Sequence, residues 1–295
     1  MSFVQIASWN IEHLSSRSEN KQSAYALADH IEMAGVEILV LQEIYVTHLK
    51  DGERRNEDLD VVCELLHEHL GQEWSYVLLP KRDENRTNQL CGIMWDTTRT
   101  EATDVLRLDM PDKEGGYWVW DRTPHAVKFR IQVKRWRKDL SDDWQEHEET
   151  SSIVVIPLHM KANGEDERVD AMRRAIEARL LVERLDDVKA RLEEESLILI
   201  GDTNIKDRHE EAAQRFHDYG LRDLNYSDQV TYPYYQGNPF DRVYMARNRE
   251  EFKYSRQYIL QPASTSQHDK FLSDHFMIKA SIKIYLDDAD PREEN

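Results

Sequence analysis

The apolar positions of the chain fall into strand-length runs separated by helical patterns, and several of these runs give way directly to a polar residue. Phe3 to Ser8 alternates Phe3, Val4 and Ile6 with small or polar neighbours and ends in Trp9-Asn10-Ile11, which predicts a first strand with Asn10 at its end. Residues 21 to 34 place Ala24, Leu27, Ala28 and Ile31 at helical spacing, with Gly35 as a stop. Val36 to Leu41 predicts a second buried strand, closing in Gln42-Glu43. Leu59, Val62, Cys63, Leu66 and Leu70 predict a second helix stopped by Gly71. His67 and His69 lie two apart on it, so they point to different faces and make no joint metal site.

Trp74 to Leu79 and Cys91 to Trp95 read as strands flanking a polar loop with Lys81, Arg82 and Arg86. Tyr117, Trp118 and Trp120 lead into Asp121-Arg122-Thr123-Pro124, where Pro124 forces Thr123 toward an extended conformation and bars a helix. Arg122 is thus held in a stiff entry to the strand Ala126 to Val133. The charged segment Lys134 to Thr150 reads as a hairpin tip, with Lys134, Arg135, Arg137 and Lys138 either a solvated face or a backbone-contacting patch. Ile153 to Leu158 delivers His159. A long helix carrying Val169, Met172, Ile176, Leu180, Leu185, Val188 and Leu192 leads into the buried run Leu197 to Ile200. Gly201 then lets the chain turn, and Asp202 and Asn204 follow two apart. If the extended conformation persists that far, both project to one side; read alone, Gly-Asp-x-Asn is also an Asx turn closing a strand. A short helix with Ala212, Ala213 and Phe216 comes next, then an aromatic loop from Tyr232 to Tyr235 and the run Phe240 to Met245. Ser273-Asp274-His275 precedes a terminal strand, Phe276 to Ile284.

No Pro/Gly/Ser-rich linker or low-complexity tract divides the 295 residues, so one domain over 1–285 is expected, with an acidic tail over 286–295 that frays. Lys and Arg total 39 against 57 Asp and Glu, a net charge of -18. That balance works against indiscriminate attraction to nucleic acid or anionic membrane, so a polyanion site has to be locally basic or metal-assisted. Cys63 and Cys91 are the only cysteines and read as reduced thiols. The chain opens directly as a strand and no apolar run approaches membrane-spanning length, so the expectation is a cytoplasmic protein without a membrane partner. Its oligomeric state is not legible.

Five runs end or begin with a group of catalytic type: Asn10; Glu43; His159; Asp202 with Asn204; Asp274 with His275. Taken singly, Glu43 is a solvated charge and His159 a packed or surface histidine. Together, carboxylates and amide oxygens suit a hard cation such as Mg2+ that works on phosphate. Two histidines and an arginine add proton transfer, charge neutralisation and substrate positioning, which phosphoester hydrolysis needs.

Trp-Asn-Ile (9–11), Gln-Glu (42–43), Arg-x-Pro (122–124), Leu-His (158–159), Gly-Asp-x-Asn (201–204), Asp-Arg-Val (241–243) and Ser-Asp-His (273–275) occur in that order. Over residues 3 to 284 the chain therefore resembles the endonuclease/exonuclease/phosphatase superfamily. The stretch Asp121 to Phe129 and the dipeptide Asp241-Arg242 look like its deoxyribonuclease I branch. The resemblance implies a four-layer α/β/β/α sandwich of two packed, mostly antiparallel sheets with outer helices. It further implies that Asn10 and Glu43, with Asp274, hold Mg2+ or Mn2+, and that Asp202 and Asn204 orient the attacking water and the scissile phosphate. His159 and His275 would be the two histidines of the reaction, Asp241 the partner of His275, and Arg122 a phosphate ligand. The implied activity is nucleic-acid phosphodiester hydrolysis, with a DNA endonuclease as the leading reading. Alternatives are a phosphoesterase on a lipid, inositol or nucleotide phosphate, or a binding module on the same scaffold. One departure stands out: the Tyr and Glu of the deoxyribonuclease I pattern fall near Thr87 and Gln89, leaving His159 without its expected carboxylate partner.

Overall fold

Each central strand carries a different apolar set on each face, and this alternation sets the layers. The computed structural model describes residues 3–15, 22–80, 89–138 and 144–284. The loop with Lys81, Arg82, Arg86 and Thr87, the hairpin tip over 139–143, the side chains of Lys134, Arg135, Arg137 and Lys138, and the tail over 286–295 lie outside the described residues.

From the N-terminus come β1 (Phe3–Leu14), α1 (Ala24–Ala34), β2 (Ile38–Ile44), a small hairpin of β3 (His48–Lys50) and β4 (Glu53–Arg55), α2 (Glu57–Leu70), β5 (Trp74–Leu79) and β6 (Leu90–Asp96). The middle adds β7 (Thr100–Arg107), the short β8 (Lys113–Glu114) and β9 (Tyr117–Trp118), the long β10 (His125–Lys138) and β11 (Trp144–His159), α3 (Glu167–Leu192) and β12 (Leu197–Asp202). The remainder is α4 (Glu211–Asp218), β13 (Leu221–Asp223), β14 (Asp241–Ala246), a 3-10 turn (Glu250–Phe252), β15 (Gln257–Ile259), α5 (Thr265–Phe271) and β16 (Ile278–Lys283).

One six-stranded sheet runs β15-β16-β1-β2-β6-β5, the other β13-β14-β12-β11-β10-β7. Within each, a single central pair is parallel, β1 with β2 and β11 with β12. Parallel neighbours need a crossover, and α1 and α3 provide it. Val4 and Ile6 of β1, Val40 of β2, Val155 of β11, Ile198 and Ile200 of β12 and Val243 of β14 form one layer between the sheets. Residues of opposite parity, Ala7, Trp9 and Leu39, pack with α1 and α2. On the far side Val154, Ile156, Leu197 and Leu199 pack with α3 and α4. The architecture is the expected α/β/β/α sandwich.

The helix stops at Gly35 and Gly71 are left-handed caps, at φ 58° and 65°. His67 and His69 diverge as their spacing requires, His67 toward Glu73 and His69 toward Glu32 on α1. Both cysteines are free thiols. One sequence expectation needs correction, and two further elements go unread in the sequence. The charged segment is not a long tip: β10 and β11 stay paired out to Lys138 opposite Trp144, because backbone laddering needs no apolar pattern to continue. β7 lies at a sheet edge, where an exposed strand shows no clean alternation. α5 is seven residues with one buried side chain, His268, too little for an apolar stripe.

His30 of α1 packs on Trp9 with ring centroids 4.7 Å apart and faces His268 at 5.6 Å. Burial, aided by the His268 charge, lowers its pKa from 6.5 to about 4. Between these values the unfolded chain takes up a proton that the folded protein refuses, so stability present above pH 6.5 is lost as pH falls toward 4. His30→Phe is expected to remove roughly 3 kcal/mol of this acid sensitivity, read as a flatter pH dependence of the urea midpoint.

Candidate active site

Strand parity carries the inter-sheet layer into a polar cluster. Asn10 has the parity of Val4 and Ile6, Asp202 that of Ile198 and Ile200, His159 that of Ile153 and Val155, and Asp241 that of Val243 and Met245. His159 stands beside Asp202 in the ladder, and Asp202 beside Asp241. The carboxyl ends of both parallel pairs therefore meet. Asn10 Nδ2 joins the sheets there, donating to Asp202 Oδ2 at 3.0 Å and to Glu43 Oε1 at 3.2 Å. Its Oδ1 accepts the Glu12 N–H at 3.1 Å and keeps a second lone pair.

Irregularities aim these groups. The β1–β2 register jumps between Asn10 and Leu14, and Glu12 and His13 in that bulge have φ 46° and 61°. Glu43 has φ 65° where β2 slips against β6. Such bulges re-aim side chains at the cost of a few ladder bonds. At the end of β12, Gly201 has φ 152°, and a Cβ there would lie 2.0 Å from Leu158 O. The chain then turns: Asn204 has φ 54°, and its N–H bonds Asp202 Oδ1 at 3.0 Å. The Asx turn that Gly-Asp-x-Asn suggests by itself is therefore present. Extended geometry does not persist to Asn204, yet the turn holds both side chains at the same buried end.

His275 Nδ1 lies 2.8 Å from Asp241 Oδ2. Burial opposes a charged ring, but the Asp241 carboxylate outweighs it and raises the His275 pKa to about 10. Burial pushes the Asp202 carboxyl upward, with the Asp241 charge adding to it and His275 opposing. His159 Nε2 is 3.8 Å from both Glu43 Oε1 and Asp202 Oδ2. Its Nδ1 is buried with no hydrogen-bond partner among the described residues. Burial first, then the charges of Arg122, His275 and His13, holds its pKa well below 6.5. Asp274 Oδ1 is 4.0 Å from His275 Nε2, and its N–H bonds Glu12 Oε2.

All nine predicted site residues belong to this neighbourhood; Arg122 enters it through Gln89. Arg122 Nη2 donates to Gln89 Oε1, and since arginine only donates, the Gln89 amide orientation is settled. Its NH2 then serves Glu43 Oε2 at 2.8 Å and His13 Nδ1 at 2.9 Å. Gln89 spends its bonds there and not on His159. His13 is a site histidine that sequence reasoning missed, because strict alternation from Asn10 puts it on the opposite face. Ser273 was missed as an anchor: its Oγ donates to Asn10 O at 2.5 Å and accepts the His275 N–H. Trp9 Nε1 bonds His275 O at 3.1 Å, so the first strand carries the Ser-Asp-His loop. Arg242 faces away, bound at 2.6 Å to Asp223 and to Asp228 as a buried brace.

Two six-stranded sheets packed face to face with helices outside are an arrangement shared with known structures. The chain has the endonuclease/exonuclease/phosphatase fold. A family protein of that name from Bacteroides thetaiotaomicron superposes with a TM-score of 0.60 at 16% identity, over 97% of this chain and 99% of that one. D. rerio TDP2 complexed with a single-strand DNA product gives 0.57 at 13% identity, over 96% and 100%. The human Nocturnin catalytic domain with bound sulfate gives 0.56 at 16% identity, over 95% and 94%. Comparison of the sequence with protein-family models and with curated proteins finds no match. Among the described residues no helix is long and apolar enough to cross a membrane.

Gly201→Ala should cost at least about 3 kcal/mol, since the clash is with backbone that cannot step aside. A urea midpoint unchanged from wild type would contradict the close approach of β12 to Leu158.

Proposed function

We propose that residues 1–285 act as one unit, a divalent-metal-dependent phosphodiester hydrolase whose substrate is nucleic acid, with DNA the first choice and endonucleolytic cleavage the leading mode. The observation that carries this is the junction of Asn10, Glu43, His159 and Asp202 where the two sheets meet. The donor set fits a hard cation: Glu43 and Asp274 offer carboxylates and Asn10 its amide oxygen, amid the further negative charges of Asp202 and Asp241. Mg2+ or Mn2+ held by those three residues would supply charge neutralisation at the phosphate oxygens.

The chain's own groups divide the remaining work. Asp202, with Asn204 beside it, accepts a hydrogen bond from the attacking water and holds it in line with phosphorus. His159, kept neutral and fully buried, donates from Nε2 to a phosphate oxygen. His275, charged through its bond to Asp241, neutralises developing charge and holds a proton at Nε2 for the leaving oxygen. Arg122, oriented by Gln89, binds a phosphate oxygen.

The aromatic loop favours a nucleotide over a lipid. Tyr232 lies 4.9 Å from the His275 ring, and the stacked Tyr235 is 87% exposed. A ring beside the scissile position can stack on a base. Trp118 is half open, whereas Trp120 is core. The single-strand DNA bound by the TDP2 neighbour agrees with this choice.

Plasmid and short DNA should be cut in Mg2+ or Mn2+ and spared in EDTA, with Asp202→Ala, His159→Ala and His275→Ala each slower by about 10²–10⁴-fold. Run beside DNA, a panel of RNA, phosphoinositide, sphingomyelin and nucleotide substrates tests the substrate class; faster turnover of any of them displaces DNA. Separately, Mg2+ at about 100 times its Kd should stabilise the protein by roughly 2.7 kcal/mol. Glu43→Gln should abolish that shift; a shift that survives it would place the ion elsewhere.

A further inference from the structure

Glu177 sits in the middle of α3, about 1% exposed, in the apolar layer between that helix and the second sheet. A carboxylate in such a place is costly unless its oxygens are satisfied. Both are, and by backbone: Oε1 accepts the Trp120 N–H at 2.8 Å and Oε2 the Lys161 N–H at 2.9 Å. Trp120 precedes Arg122 by two residues, and Lys161 follows His159 by two. One side chain thus ties together two loops far apart in sequence, each carrying a predicted site residue.

The strain at Trp120 indicates what the bond holds. Its φ of 51° is left-handed, unusual and strained for a large side chain, so its amide needs a fixed acceptor to stay turned inward. One helical turn earlier, the equally buried Arg174 donates from Nη1 to Lys161 O at 3.1 Å and binds Glu210 through Nε at 2.6 Å and Nη2 at 3.1 Å. Lys161 is therefore gripped by α3 through its N–H and its carbonyl. Glu210 in turn accepts the Lys206 N–H, which follows Asn204 by two.

We infer that Glu177 is a positioning residue, setting Arg122 relative to His159 by holding the Trp120 and Lys161 amides on one rigid helix. The inference rests on the phosphodiester-hydrolase reading for its kinetic consequence and on geometry alone for the coupling. Glutamine cannot reproduce the clamp, because it has one acceptor oxygen and its NH2 would face an N–H.

The test is a double-mutant cycle. In Mg2+, Glu177→Gln should lower kcat by about tenfold or more, since small misplacements of a phosphate-binding group are expensive. In an Arg122→Ala background the same change should cost less than about threefold, because the group it positions is gone. Glu37→Gln is the matched control: it too removes a buried carboxylate that accepts a backbone amide, from Gln5, and should leave kcat within about twofold. Equal costs of Glu177→Gln in the two backgrounds, or kcat within about twofold of wild type, would overturn the inference. If Glu177→Gln does not fold, Glu177→Asp keeps the buried charge, shortens the reach by one methylene and should give the same pattern.

A readout independent of activity separates this inference from the functional reading. Glu177→Gln or Glu177→Asp should speed hydrogen exchange at the Trp120 and Lys161 amides and shift the NMR signals of the Arg122 Nε–H and the His159 ring. A wild-type enzyme without phosphodiesterase activity but with these changes sinks the function and keeps the coupling. Unchanged Arg122 and His159 signals sink the coupling.

Discussion

The hydrogen bond from Asn10 to Asp202 crosses from one sheet to the other at the point where the apolar layer between them ends. Everything polar in the candidate site is arranged about that crossing. Glu43 shares the same Asn10 amide, His159 lies equally far from Glu43 and Asp202, and Asp241 neighbours Asp202 in the ladder. The sandwich makes this meeting possible because each sheet contains one parallel pair, and a parallel pair delivers two carboxyl ends to the same edge. Open α/β sheets commonly place their ligands at such ends.

The cluster is expensive to hold. Asp202, Asp241 and His275 are nearly inaccessible to water, and Glu43 is partly buried. Glu12, His13, Glu43, Trp120 and Asn204 have left-handed φ values, which cost of order 1–3 kcal/mol each. Three continuous apolar layers offset this, with each fully buried large side chain contributing roughly 1.5–3 kcal/mol. The strain is confined to strand ends and loops, where it turns side chains inward without disturbing the layers.

Loops are held from behind as well as from within. Trp9 and Ser273 carry the His275 loop, Gln89 joins Arg122 to Glu43, and α3 reaches through Glu177 and Arg174 to the loops beyond Trp120, His159 and Asn204. The excess of acid over base does not argue against a polyanionic substrate on this scaffold, because the cationic groups that matter are few and fixed in place.

Much of this was readable from the chain. The continuous apolar run Leu197 to Ile200 marks a strand buried on both faces, the alternation at Val4 and Ile6 marks a strand with one buried face, and a polar residue further on with the same parity marks where burial changes character. Period-two geometry is local, so Asn10, His159 and Asp202 could be found one strand at a time, whereas Asp241 entered through the motif resemblance. Other features depend on neighbours distant in sequence. His13 reaches Glu43 only because β1 bulges against β2, a register slip that no pattern within β1 encodes. That Gln89 serves Glu43 and His13 and not His159 depends on where β6 and the Arg122 loop come together. Glu177 looked like one more charge on a long helix, since nothing nearby in sequence says that its two acceptors' donors arrive from residues 120 and 161. Periodicity reports which face a residue takes; only the packed sheets and loops decide what it meets there, because those contacts join parts of the chain that share no local geometry.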